Sequence, residues 1–270
     1  MIASQERNVM PGFKILALLL AGAGSMLAGL SPSGFRWTGQ LTPGESIEVQ
    51  DANGNIRAEP SDGKNVEVIA RQASSLEDAS RVQIRVMRRA TGIVICAVYP
   101  KDQTGPGDCA ALGSSKPDVP RSGPQVEFAV RVPRGVRFVA RTVNGSVEAK
   151  ALHSDLEAYT VNGDVNLSTT GAAHAETVNG SITGTLGDWM RDLRFSTVNG
   201  NISLALPPAA NAEIRAKTVH GQISTNLPLC IRRHFASHTL NGKVGSGGGE
   251  VDISTVNGSI HLQRSVRSFR

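Results

Sequence analysis

The chain has 270 residues, 40% hydrophobic, 19% charged and only 4% aromatic, which makes one large or two modest domains with enough apolar residues to bury a core. Its 28 basic and 23 acidic residues leave a formal charge of +5. The basic residues are scattered and not interleaved with aromatics, so the footprint of a nucleic-acid binder is absent.

At the amino terminus Lys14 precedes 16 uncharged residues, Ile15 to Leu30, that end in small side chains. The run is shorter than the roughly 20 residues a bilayer span needs, and its basic, apolar, small order is that of a secretory signal. Residues 1–30 are read as a signal peptide cut between Ser25 and Ser33, the alternative being an uncleaved anchor. Export to the periplasm, cell envelope or exterior follows.

Residues 31–133 read as an amino-terminal β module. Period-two alternation places strands at 46–49, 66–70, 82–87, 93–98 and 126–132, with one turn of helix at 75–81. Cys96 and Cys109 flank a segment rich in turn formers. A bridge across such a loop stabilises by about 3 kcal/mol in the chain-entropy model. A shared metal is the competing use, but no nearby histidine completes a four-ligand zinc set. A Cys96–Cys109 disulfide is expected, with Cys230 left as a buried free thiol and 101–124, which holds four prolines, as a mobile surface loop.

Residues 134–264 repeat one pattern, Thr-Val-Asn-Gly-x-Val/Ile. Its turns are Asn144–Gly145, Asn162–Gly163, Asn179–Gly180, Asn199–Gly200, His220–Gly221, Asn241–Gly242 and Asn257–Gly258, with glycines 18, 17, 20, 21, 21 and 16 residues apart. An isolated cousin, Asn53-Gly54-Asn55-Ile56, lies upstream. A period near 20 marks a repeat architecture. Leu156, Ala158 and Thr160 fall on one face and Glu157 and Tyr159 on the other, the mark of half-buried strands. Asn-Gly between strands supplies two residues that tolerate positive φ.

Two all-β arrangements fit. Each Asn-Gly is a hairpin turn in an antiparallel meander or barrel, or each is the corner of a β-solenoid rung. Hairpins would leave Val143, Val161, Val178, Val198, Val219, Leu240 and Val256 as a row on the polar face. The solenoid is expected to stack and bury them, and to stack the asparagines into a ladder broken at His220. Seven rungs would span about 29 Å. The fold expected is a β-solenoid of about seven repeats of roughly 20 residues, followed by a basic tail, 265–270.

These units, preceded by Ile95-Cys96-Ala97-Val98-Tyr99-Pro100 and by Val130-Arg131-Val132-Pro133-Arg134-Gly135-Val136, resemble the bacterial putative-adhesin family, a domain of unknown function. The resemblance covers about residues 35–262. It implies an exported or envelope-associated β-repeat protein and brings no catalytic residues. His220 and Leu240 depart from the pattern.

Parallel β-helices include polysaccharide lyases and hydrolases, which need carboxylates gathered on one face. The acids of the repeats, Asp164 and Glu176 among them, do not recur at one repeat position, and Tyr159 and Trp189 are their main aromatics. His234 and His238 sit four apart but in a loop and strand, where that spacing does not converge on a metal. No catalytic residue, cofactor or metal is assigned. The expected function is a non-enzymatic, adhesin-like surface for a protein, glycan or cell-wall partner. The alternatives are a scaffold self-associating through its solenoid ends, and a polysaccharide lyase or hydrolase.

Overall fold

A computed structural model describes residues 26–29, 34–72, 82–99, 109, 124–187, 192–231 and 238–265. Among them the chain forms 22 strands and no helix, in one sheet of twelve strands and one of ten. The chain crosses between the sheets at each corner, so like strands stack in parallel and the molecule is a β-solenoid without barrel closure.

Each rung has one strand in the first sheet and one in the second. In chain order the rungs are β3 (Ser46–Gln50) with β4 (Ile56–Pro60), β9 (Arg137–Arg141) with β10 (Val147–Leu152), and β11 (Leu156–Tyr159) with β12 (Val165–Thr169). They continue as β13 (Ala173–Asn179) with β14 (Ile182–Leu186), β15 (Leu193–Asn199) with β16 (Ile202–Leu206), β17 (Ala212–His220) with β18 (Ile223–Thr225), and β21 (Gly249–Asn257) with β22 (Ile260–Arg264). Their order in space differs. The last rung, β21/β22, is inserted between β15/β16 and β17/β18.

The two ends are built differently. Beside β3/β4 lies a further parallel layer, β7 (Gly92–Val98) and β8 (Val126–Val132), which has no Asn-Gly corner. Outside it, β6 (Gln83–Arg89) and then β1 (Met26–Gly29) extend the first sheet antiparallel, while β5 (Asn65–Gln72) and then β2 (Phe35–Gln40) extend the second. At the other end β20 (Thr239–Val244) adds antiparallel to β17 and β19 (Leu229–Ile231) antiparallel to β20, but the second sheet stops at the three residues of β18. These flanks cover three of the four open rung edges that a two-sheet solenoid leaves, the edge of β18 having no flanking strand among the described residues.

The period-two alternation buries one face of every strand; β17 reads buried and exposed in strict turn from Ala212 to Thr218. The last motif letter forms an internal column in which Ile56, Val147, Val165, Ile182, Ile202, Ile260 and Ile223 stand in register, each no more than 5% exposed. Burying such a side chain stabilises by about 1.5–3 kcal/mol. One contiguous core runs from Phe35 to Leu262, so residues 31–133 and 134–264 share both sheets and one interior.

All five strands expected between 46 and 132 are present. Two things differ. The upstream Asn53–Gly54 is the corner of a full rung, joining β3 to β4. Asn241–Gly242 is not a corner: it lies within β20, running antiparallel to β17. The signal segment 1–25, the helical turn at 75–81, Trp189, His234 and the tail 266–270 lie outside the described residues, as does 101–123 except for Cys109. Residues 26–29, within the segment expected to be removed on export, form β1.

Candidate functional site

The repeated letters each have a separate task at the corner. The buried threonine hydroxyl donates to the glycine carbonyl of the neighbouring rung: Thr142 to Gly54, Thr160 to Gly145, Thr177 to Gly163, Thr197 to Gly180, Thr255 to Gly200 and Thr218 to Gly258, all between 2.8 and 3.0 Å. The asparagine amides form the expected ladder. Asn162 donates to Asn144, Asn179 to Asn162, Asn199 to Asn179 and Asn257 to Asn199, at 2.8–3.0 Å. His220 ends it, facing Asn257 across the last rung.

The residue after glycine supplies an acceptor that sequence reasoning missed. The side chains of Asn55, Ser146, Asp164, Ser181, Asn201 and Ser259 accept in turn from the backbone N–H groups of Ser146, Asp164, Ser181, Asn201, Ser259 and Gln222. The signal was present. Lys243, after Asn241–Gly242, has no acceptor to offer a next rung.

The glycines are required for a different reason from the one expected. Among the corner glycines only Gly54 and Gly221 have positive φ, at 150° and 158°, and no corner asparagine does. What glycine supplies is room. A Cβ at Gly163 would lie 2.1 Å from the Gly145 carbonyl oxygen, and one at Gly180 1.9 Å from that of Gly163. The valine row is also corrected. Leu240 is buried, but Val161, Val178, Val198, Val256 and Val219 are 37–47% exposed. The corner turns sharply enough that only its threonine and its final Val/Ile point inward.

Cys96, on β7, is bonded to Cys109 with Cα atoms 5.9 Å apart. The pair packs with Val94, Met87 and Val98 in a second small cluster. Near this end lies a buried carboxyl. Asp51, between β3 and the first corner, accepts from the Tyr99 hydroxyl at 2.7 Å and the Asn53 N–H at 3.3 Å, both on Oδ1. Its Oδ2 has no hydrogen-bond partner among the described residues, and burial pushes the carboxyl up to about 7, outweighing these hydrogen bonds.

The outward face of the first sheet carries polar side chains in rows set by strand register. One row passes through Glu48, Val139, Glu157, His174, Arg194, Asp252 and Arg215. Its neighbour passes through Gln50, Arg141, Tyr159, Glu176, Ser196, Ser254 and Lys217. On the amino-terminal half these groups hold one another. Arg141 pairs with Glu48 at 3.0 Å and lies 4.0 Å above the Tyr159 ring. The Tyr159 oxygen stands 3.1 Å from His174 Nδ1, and His174 Nε2 stands 2.8 Å from Glu176. Partial burial raises the Tyr159 phenol above its ordinary range, against the opposing pull of Arg141. Both ring nitrogens of His174 are engaged, so the ring is held in place.

Toward the carboxyl-terminal half the same face opens into a concavity of about 530 Å³. Glu176, Arg194, Arg215, Lys217, Thr239 and Asp252 line it, from strands β13, β15, β17, β20 and β21. Insertion of β21 between β15 and β17 brings them together. Arg215 pairs with Glu250 at the rim, while Arg194 and Lys217 have no ion-pair partner among the described residues. Cationic donors, carboxylate acceptors and hydroxyls side by side suit a hydroxyl-rich ligand. Period-two phase marks each residue as outward, but their adjacency depends on a rung order that the sequence does not display.

Two solved structures show similarity at low identity. A "putative cell adhesion protein" from Clostridium sporogenes has a TM-score of 0.48 and 12% identity over 86% of this chain and 100% of its own. A "putative adhesin" from Bacteroides fragilis has a TM-score of 0.33 and 11% identity over 86% and 98%. No curated protein matches. Residues 42–263, from just before the first rung to the end of the last, match the profile of a domain of unknown function, and the chain belongs to that family, Toastrack DUF4097.

Proposed function

We propose that this is a non-enzymatic, exported envelope protein with an adhesin-like role, and that it holds a glycan or cell-wall polymer along the outward face of its first sheet. The observation that carries the reading is the concavity where Arg194 and Lys217 stand without ion-pair partners among the described residues, beside the Glu176 and Asp252 carboxylates. A sugar chain offers hydroxyls to both kinds of group, and a carboxylated one adds charge for the cations. The rigid rows beside the concavity give a long partner further contacts with little ordering cost. The export expected from residues 1–30 puts this face where such polymers are found.

Co-sedimentation with insoluble cell-wall polymer, together with a panel of soluble neutral and acidic glycans, tests the reading. Wild-type protein is expected to be retained, and the Arg194→Ala/Lys217→Ala variant to bind about tenfold more weakly. Both side chains are exposed, so folding is unaffected. Equal retention of the variant, or no retention of wild type by any polymer, overturns the reading. Release of shortened sugars would move the protein to the lyase or hydrolase class.

A further inference from the structure

Every letter of the repeat but one has an internal partner. Threonine, asparagine, glycine and the acceptor after it are tied to the neighbouring rung, and the final Val/Ile fills the core. Valine alone has neither a hydrogen-bonding task nor a place in the core. Val143, Val161, Val178, Val198, Val256 and Val219 stand in that order along the corner, the first half-buried and the others 37–47% exposed. At strand spacing the six span about 24 Å. The corner strip they belong to, Val-Asn-Gly-x and its His220 variant, contains one ionised residue, Asp164, in a chain that is 19% charged. Exposed β surfaces are normally guarded by charge, and depletion of charge around apolar side chains is the compositional mark of an interface core.

We infer that this ridge is where two copies of the chain pack, ridge against ridge, about a two-fold axis. A partner must match a repeat of one strand spacing over five gaps, and a second copy carries that repeat along its whole length. The antiparallel order of a two-fold pair sets Val143 opposite Val219, Val161 opposite Val256 and Val178 opposite Val198 of the other copy. It also sets Asp164 opposite Ser259. A parallel order would bring the two Asp164 carboxylates face to face. A strip this narrow lies at the small end of specific interfaces, so the dimer is a weak one, with a Kd in the range of about 10–100 μM.

Sedimentation velocity from about 1 μM to 1 mM, which brackets that range, is the test. Wild type is expected to shift from monomer to dimer. The central pair Val178→Lys/Val198→Lys is expected to stay monomeric with an unchanged melting temperature, and Glu213→Gln, an exposed position on the first sheet away from the ridge, to dimerise as wild type does. Should the lysine pair fold poorly, Val178→Thr/Val198→Thr decides, with about tenfold weaker association expected. Wild type that stays monomeric throughout overturns the inference. So does a dimer that survives both central pairs, which would place the contact elsewhere, the solenoid ends included.

Discussion

Thr239–Val244 and Thr255–Ile260 carry nearly the same letters and have opposite fates. The second is a corner: Thr255 is buried, Val256 is 39% exposed, and the chain turns from β21 into β22. The first runs straight through β20 with its phase reversed, so that Leu240 is fully buried and Thr239 half exposed. What separates them is the neighbour each offers. Ser259 presents an oxygen to the Gln222 N–H and Gly258 stacks on Gly200, whereas Lys243 has only protons to give and Gly242 faces the Leu229 side chain. A repeat motif here specifies a corner only when every letter finds the next rung.

The largest effect that would sharpen this contrast comes from the glycines. A Cβ at position 258 would lie 1.9 Å from the Gly200 carbonyl oxygen, and backbone cannot yield as a side chain does. Gly258→Ala is expected to cost about 4 kcal/mol or more, or to prevent folding. A Cβ at position 242 meets Leu229 at 3.3 Å, so Gly242→Ala is expected to change stability by about 1 kcal/mol or less. Urea denaturation of the two variants checks the pair, and equal losses would break the distinction.

The upstream copy, Asn53–Gly54, differs from both because a buried carboxyl adjoins it. Asp51 has an ordinary value of 3.8 and stands at about 7 in the folded chain, so the native state holds the proton more tightly. Stability is therefore full below pH 4, falls as pH rises from about 4 to about 7, and then levels, losing about 4 kcal/mol in all. Tyr99 donates to this carboxyl and Glu127 opposes its ionisation. Urea midpoints at pH 5 and pH 8 are expected to differ in wild type and to converge in Asp51→Asn. A wild-type midpoint that rises with pH over this interval would contradict the assignment.

Smaller again is the threonine hydroxyl. Thr255→Val removes a buried donor from the Gly200 carbonyl and is expected to cost about 1–2 kcal/mol. Thr239→Val, on the half-exposed strand, is expected to change stability by about 0.5 kcal/mol or less. Thermal melts of both variants read the difference, and matching losses would show that the hydroxyl bond contributes nothing net.

The parallel stack and the asparagine ladder were legible in the sequence, because a 20-residue period and a recurring amide at one motif position have few other uses. The strands at 46–132 were legible from alternation alone. The direction of the valines was not. Alternation placed them outward, but the packing expected of a rung argued for burial, and only the sharpness of the corner decides between the two. The concavity was hidden for another reason. Arg194, Lys217 and Asp252 belong to three different repeats, and any rung pairs equally well with any other through backbone hydrogen bonds. Rung order leaves a trace only where an acceptor is missing, as at Lys243.

The insertion of β21/β22 between two earlier rungs has a consequence for how the chain reaches this shape. A solenoid whose rungs follow chain order can zip up from one end as it emerges from a ribosome or translocase. This one cannot. When residues 212–225 have emerged, the place beside β15/β16 has to stay vacant, or be filled provisionally by β17/β18, until residues 249–264 arrive. Closure is thus a late, long-range event, the kind that slows folding and leaves strand edges open meanwhile. Losing the final repeat would not shorten the stack by its last layer; it would remove a storey from the middle.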